Sequence, residues 1–176
     1  MSTKKDKFNR KDHFYMNLAL NLARERLGLT GENPSVGCVI VKNDEVISFG
    51  QTGLNGIPHA EYKAIKSCKK NLKGSKIYVS LEPCTHYGKT PPCSDIIIRS
   101  KIKEVIFSII DPDIRTKSKS FKIFKKKRIK VKLGLLHNEA KKIYKPYIYN
   151  KSKKMPFVTG KLAISKDKFI YSKKQK

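Results

Sequence analysis

A chain of 176 residues with 39% apolar residues can bury one core of ordinary domain size and not two. No apolar run approaches the roughly 18–20 residues that cross a bilayer, and Met1 to Asp12 lacks the apolar stretch and cleavage site of a secretory signal, so a cytoplasmic protein with no membrane partner is expected. The formal charge is +26, yet 34 of the 40 basic residues are Lys and they are spread along the chain, which reads as compositional bias rather than an Arg-rich nucleic-acid site; at long range the charge still favours phosphorylated small molecules.

Residues 1–11 read as a basic extension. Asp12 then serves as an N-cap for an amphipathic helix of about four turns, in which Phe14, Leu18, Leu22 and Ala19, Ala23, Leu27 recur at helical spacing until Gly28. A loop, Leu29 to Pro34, leads to the β-branched run Val36 to Val41, a turn at Asn43-Asp44 and a return strand, Glu45 to Gly50. After a glycine-containing loop, His59 opens a second helix that runs to about Lys70. A short buried strand, Ile77 to Leu81, is followed by an irregular loop from Glu82 to Pro92, and Cys93 opens a third helix to about Ser100. Glu104 to Ile110 is a strand, Ser120 to Lys127 a basic helix, Ile129 to Leu133 a strand and His137 to Tyr149 a last helix. Lys151 to Lys154 reads as a polar linker and Pro156 to Ile164 as one more strand. This order predicts an α/β domain over 12–150: a mixed five-stranded sheet flanked by helices on both faces, followed by a linker and short segment over 151–176. In such sheets, sites form where strands end and helices begin.

Two of those places carry metal chemistry. Catalytic zinc takes three protein ligands and leaves a fourth position for water. His59 offers a nitrogen, and Cys84 and Cys93 offer two thiolates from a Pro-rich loop, a grouping that favours one zinc ion over a disulfide in a reducing compartment. Glu61 stands two residues after His59 at the same helix start, placed to move protons between water and a leaving amine. His-x-Glu followed by Pro-Cys and a second Cys is the zinc deaminase signature. His86 is the nearest candidate for a fourth ligand, which a purely structural zinc site would require. Cys38 lies in an apolar run and reads as a core residue; Cys68 receives no role.

Three blocks, Asn33-Pro34-Ser35-Val36-Gly37-Cys38-Val39-Ile40-Val41, His59-Ala60-Glu61 and Leu81-Glu82-Pro83-Cys84-Thr85-His86-Tyr87-Gly88-Lys89-Thr90-Pro91-Pro92-Cys93, resemble the deaminase half of the bifunctional riboflavin-biosynthesis deaminase/reductases, in the cytidine/deoxycytidylate deaminase superfamily. The insert between the two cysteines is the specific element, since most zinc nucleobase deaminases have only two residues there. The resemblance implies a cytidine-deaminase-like fold and hydrolytic loss of the ring 2-amino group from a 2,5-diamino-6-ribosylamino-pyrimidinone 5′-phosphate. It implies that the Asn33 amide and the backbone at Ala60 hold the ring, and that His86, Lys89 and Asp111 meet the ribose phosphate or ring edge. It leaves open a homo-oligomer and a separate protein for the reductase step. Met155 to Phe169 is similar to the start of the family's reductase domain, and neither an NADPH site nor reductase activity is expected here. The sequence departs from the family at Asp111-Pro112-Asp113-Ile114-Arg115, where a second proline is usual, at Ser118-Lys119-Ser120, which replace glycines, and at Thr52, which replaces a histidine.

Two other functions compete. The charge suits a tRNA adenosine deaminase of the same superfamily, a reading that the eight-residue insert disfavours. The short C-terminal segment suits an inactive partner subunit, against which stands the complete zinc and Glu61 set.

Overall fold

The computed structural model of the chain describes residues 8–166 and residue 168. Most of the expected basic extension (1–7) and the tail from 169 onward lie outside the described residues. Helix α1 spans Arg10–Arg24, strands β1 and β2 span Gly37–Lys42 and Glu45–Gln51, and α2 spans Ala60–Ser67 after a short 3₁₀ turn at Leu54–Gly56. Then follow β3 (Lys76–Val79), α3 (Cys93–Arg99), β4 (Glu104–Phe107), α4 (Lys119–Lys126), β5 (Lys130–Leu133) and α5 (His137–Lys153).

The sheet has the order β2-β1-β3-β4-β5. β1 pairs antiparallel with both β2 and β3, while β3, β4 and β5 run parallel, giving the expected mixed five-stranded sheet. The burial patterns explain the pairing. β1 and β4 are buried over almost their whole length, as interior strands covered on two faces are, whereas β2 exposes Val46 and Phe49 at the edge. Helices α1 and α5 contact each other on one side of the sheet, and α2, α3 and α4 form a contacting series on the other. Two glycines set the close approach: a Cβ at Gly37 would strike the Ala19 carbonyl of α1, and one at Gly50 would strike the Ala60 carbonyl of α2. Met16, Leu20, Ile40, Ile77, Ile106 and Phe107 are among the fully buried core side chains, each contributing about 1.5–3 kcal/mol by leaving water.

Several expectations need correction. The N-cap of α1 is Asn9, not Asp12; Asp12 is the partner three residues on, and the two close a reciprocal capping box. Asp12 is instead buried, and its carboxylate accepts a 2.7 Å hydrogen bond from Tyr78 of β3, which ties the start of α1 to the sheet. Residues 151–153 are the last turn of α5 rather than a linker. Residues 156–164 form no strand: most of them are exposed, and half-buried Phe157 packs edge-on against Tyr149 of α5 instead.

The site lies where β3 and β4 end and α2 and α3 begin. Ser80, just past β3, donates its N–H to the Gly37 carbonyl and receives the Gly37 N–H on its hydroxyl. Tyr144 of α5 bonds both the Ser80 hydroxyl, at 2.6 Å, and the Ser35 carbonyl, at 3.0 Å. These bonds fix the Asn33-Pro34-Ser35 loop beside the start of the Leu81-Glu82-Pro83-Cys84 loop.

Candidate metal centre and cleft

His59 is the N-cap residue of α2, and Cys93 is the first residue of α3. Cys84 comes from the loop after β3. His59 Nδ1 lies 3.5 Å from Cys84 Sγ and 3.3 Å from Cys93 Sγ, and the three donor atoms fall within 4.8 Å of one another. Tetrahedral zinc, with Zn–N and Zn–S bonds of about 2.0–2.3 Å, requires N and S roughly 3.5 Å apart. The donor set therefore fits a zinc ion without rearrangement. Among the described residues the group has three members. His86 does not join it: its Nδ1 faces the Thr116 hydroxyl at 3.1 Å. Three ligands with no fourth leave the open position that catalytic zinc needs and structural zinc lacks.

The electrostatics are strongly perturbed. The Cys84 thiol is held below its ordinary range, first by the hydrogen bond from Cys93 and then by His59, whereas Cys93 is pushed up by Cys84 and by burial. His59 is raised by its contact with Cys84. Glu61 is buried in the first turn of α2, and burial, reinforced by the Cys84 charge, pushes its carboxyl up to about 7. A carboxyl poised near neutral pH can both accept and return a proton.

His59, Cys84 and Glu61 line a small cleft of about 70 Å³, while Cys93 is buried and does not line it. Asn33 and Asp111 line it, as do His86 and Arg115. The Asn33 amide is anchored by donating to the Gly56 carbonyl at 3.0 Å. Asp111 is buried; it accepts from the Tyr147 hydroxyl at 3.1 Å, and burial raises its carboxyl to about 6. Ala60 is fully buried and lines neither this cleft nor its neighbour. Lys89 does not line the cleft; it stands on the wall of an adjoining cavity of about 460 Å³.

The charged and phenolic cleft residues Glu32, Glu82, Asp113, Arg115, Tyr147 and Lys151 receive no site role from the sequence. Tyr147 and Lys151 sit one turn apart on the same face of α5. That spacing is visible in the sequence, but ending α5 at Tyr149 hides it. Thr52 is buried and accepts the Val36 N–H at 2.9 Å, so it holds the start of β1.

Residues 9–109 match the family described as cytidine and deoxycytidylate deaminase zinc-binding region. The chain is 44% identical over 137 residues to a diaminohydroxyphosphoribosylamino-pyrimidine deaminase of Buchnera aphidicola subsp. Schizaphis graminum, covering 78% of this chain and 93% of that protein. It is 39% identical over 156 residues to the riboflavin biosynthesis protein RibD of Aquifex aeolicus, covering 89% of this chain and 44% of that one. The solved structure of RibD from Acinetobacter baumannii superposes with a TM-score of 0.80 at 36% identity, over 84% of this chain and 42% of that one. The chain thus spans about two fifths of the length of the RibD relatives it matches.

Proposed function

This chain belongs to the zinc-binding cytidine and deoxycytidylate deaminase family, in the branch of the riboflavin-biosynthesis deaminases, and from that premise we propose that it hydrolyses the 2-amino group from 2,5-diamino-6-ribosylamino-4(3H)-pyrimidinone 5′-phosphate. The products are ammonia and the corresponding 5-amino-uracil nucleotide. The observation that carries this reading is the three-membered His59, Cys84, Cys93 group with Glu61 buried beside it, open to a cleft.

Zinc, when bound, lowers the pKa of water at its open position and so makes a nucleophile available at neutral pH. His59, Cys84 and Cys93 hold the ion. Glu61, buried beside the metal group, removes a proton from the attacking water and delivers one to the departing nitrogen. Asn33 and the Ala60 backbone orient the ring, and Asp111 and His86 meet its edge or the ribose. Lys89, on the adjoining cavity wall, meets the phosphate.

The decisive experiment is ammonia release from the phosphorylated diaminopyrimidine by the zinc-loaded protein. Release with multiple turnovers supports the reading. A zinc-replete, folded protein that releases none, or that deaminates only RNA, overturns it.

A further inference from the structure

Arg115 sits in the loop between β4 and α4, and its geometry is unusual for a half-exposed arginine. Its Nε lies 3.0 Å from Asp113 Oδ1 and its Nη2 lies 2.7 Å from Asp113 Oδ2, a two-point fork onto a buried carboxylate. The Arg115 N–H also donates to Oδ1. Asp113 is itself fixed, donating its N–H to Asp111 at 2.9 Å and receiving Lys151 at 3.1 Å. The fork removes most of the rotamer freedom that a surface arginine keeps, so little ordering remains to be done on binding. Lys151 offsets the Asp113 charge, leaving the three-residue cluster net positive. Among the described residues, Nη1 of Arg115 makes no hydrogen bond.

The same loop is stitched to the insert that carries Lys89. The Thr85 hydroxyl donates to the Arg115 carbonyl at 3.1 Å, and His86 meets Thr116. Arg115 and Lys89 consequently reach one cavity of about 460 Å³ from two joined loops. Glu32 is the one carboxylate among the described residues on its wall. This cavity shares Glu32, Asn33, His59, His86 and Arg115 with the reaction cleft, so a single ligand can occupy both.

We propose that Arg115, aimed by Asp113, is a specificity-determining residue that grips the substrate's phosphate opposite Lys89. The inference rests on the reading of the substrate as a phosphorylated nucleotide. A planar guanidinium with one edge spent on Asp113 and the other free suits a tetrahedral anion, and a second cation across the cavity sets the distance from phosphate to ring. Asp113 lines the reaction cleft but not the cavity that takes the phosphate, and toward the phosphate it is a positioning residue that acts through the orientation of Arg115.

The test compares wild type, Arg115→Ala, Arg115→Lys and Asp113→Asn on the phosphorylated substrate and on the same compound without its phosphate. Arg115→Ala should raise KM for the phosphorylated substrate about 10–100-fold with kcat within about threefold, and should change kcat/KM for the dephosphorylated compound by less than about threefold. Arg115→Lys and Asp113→Asn should fall between, since each keeps a cation but loses the charged fork. Equal losses on both compounds, or none on either, overturn the proposal. Titration of the zinc-loaded proteins with ribose 5-phosphate separates this outcome from failure of the functional reading. If wild type deaminates neither compound, the functional reading has failed, and the titration alone decides. Weaker binding by Arg115→Ala than by wild type then supports the anion site. Equal binding, or none to wild type, overturns it.

Discussion

Ser120 donates both its backbone N–H, at 3.1 Å, and its hydroxyl, at 2.8 Å, to a single oxygen of Glu82. The other Glu82 oxygen accepts the Ser118 N–H at 2.9 Å and the Asp111 N–H at 3.3 Å. A buried carboxylate two residues before Cys84 therefore organises the whole loop from Asp111 to Ser120 across the cleft. Glu82→Gln turns one acceptor into a donor that faces donors. It should cost about 2–3 kcal/mol in urea unfolding and raise KM, while zinc content stays near wild type. Ser120→Ala removes only one donor and should cost about 1 kcal/mol. A Glu82→Gln protein with wild-type stability and KM would show that the loop is held by other contacts.

The metal assignment predicts about one zinc per chain and its loss from Cys84→Ser, since a hydroxyl is a poor substitute for a thiolate. Because the ligands bind as thiolates and a neutral imidazole, acid should release the ion. Metal analysis after dialysis at neutral and at acidic pH checks both points. Full zinc occupancy in Cys84→Ser would remove that residue from the ligand set.

Glu61→Gln keeps the shape of the side chain and cannot take a proton. It should retain zinc and fold and lose turnover by about 10²–10⁴-fold, the usual range for a general acid–base group. Turnover within about threefold of wild type would put the proton transfer elsewhere.

Asp111 makes a pH prediction of definite sign. Its folded carboxyl, raised by burial to about 6, binds a proton more tightly than the same group in the unfolded chain, near 3.9. Its contribution to stability is thus fully present below about pH 4 and is lost as pH rises through about 6. The amide of Asp111→Asn can still accept from the Asp113 N–H and the Tyr147 hydroxyl without carrying charge. The variant should gain on wild type by roughly 2–3 kcal/mol between about pH 4 and 7, as read by urea unfolding across that range. Parallel curves for the two proteins would mean that Asp111 titrates normally.

The strands, the helices and the His59, Cys84 and Cys93 group were legible in the sequence because each rests on local pattern. A helix start presents His59 and Glu61 whatever surrounds it, and a β-branched run such as Val36 to Val41 pairs wherever a neighbour exists. The errors fall where a local pattern has two outcomes. Asn9 and Asp12 satisfy the same capping box from opposite ends, so the chain alone does not say which leads. Lys151 to Lys153 look like a solvated linker; they are helical because α5 runs on past the cleft, where Lys151 meets Asp113 from 38 positions earlier in the chain. Pro156 to Ile164 has the apolar content of a strand, yet its Phe157 packs on Tyr149 of α5 and the segment joins no sheet. Glu82 shows the same limit inside the site. Its place before Pro83-Cys84 is plain in the sequence, but its partners, Asp111, Ser118 and Ser120, come from the far end of β4. Short-range geometry is written into successive residues by backbone sterics and side-chain period. Buried polar groups find partners across the sheet only after the parallel strands have brought their ends together, and that pairing belongs to the tertiary structure alone.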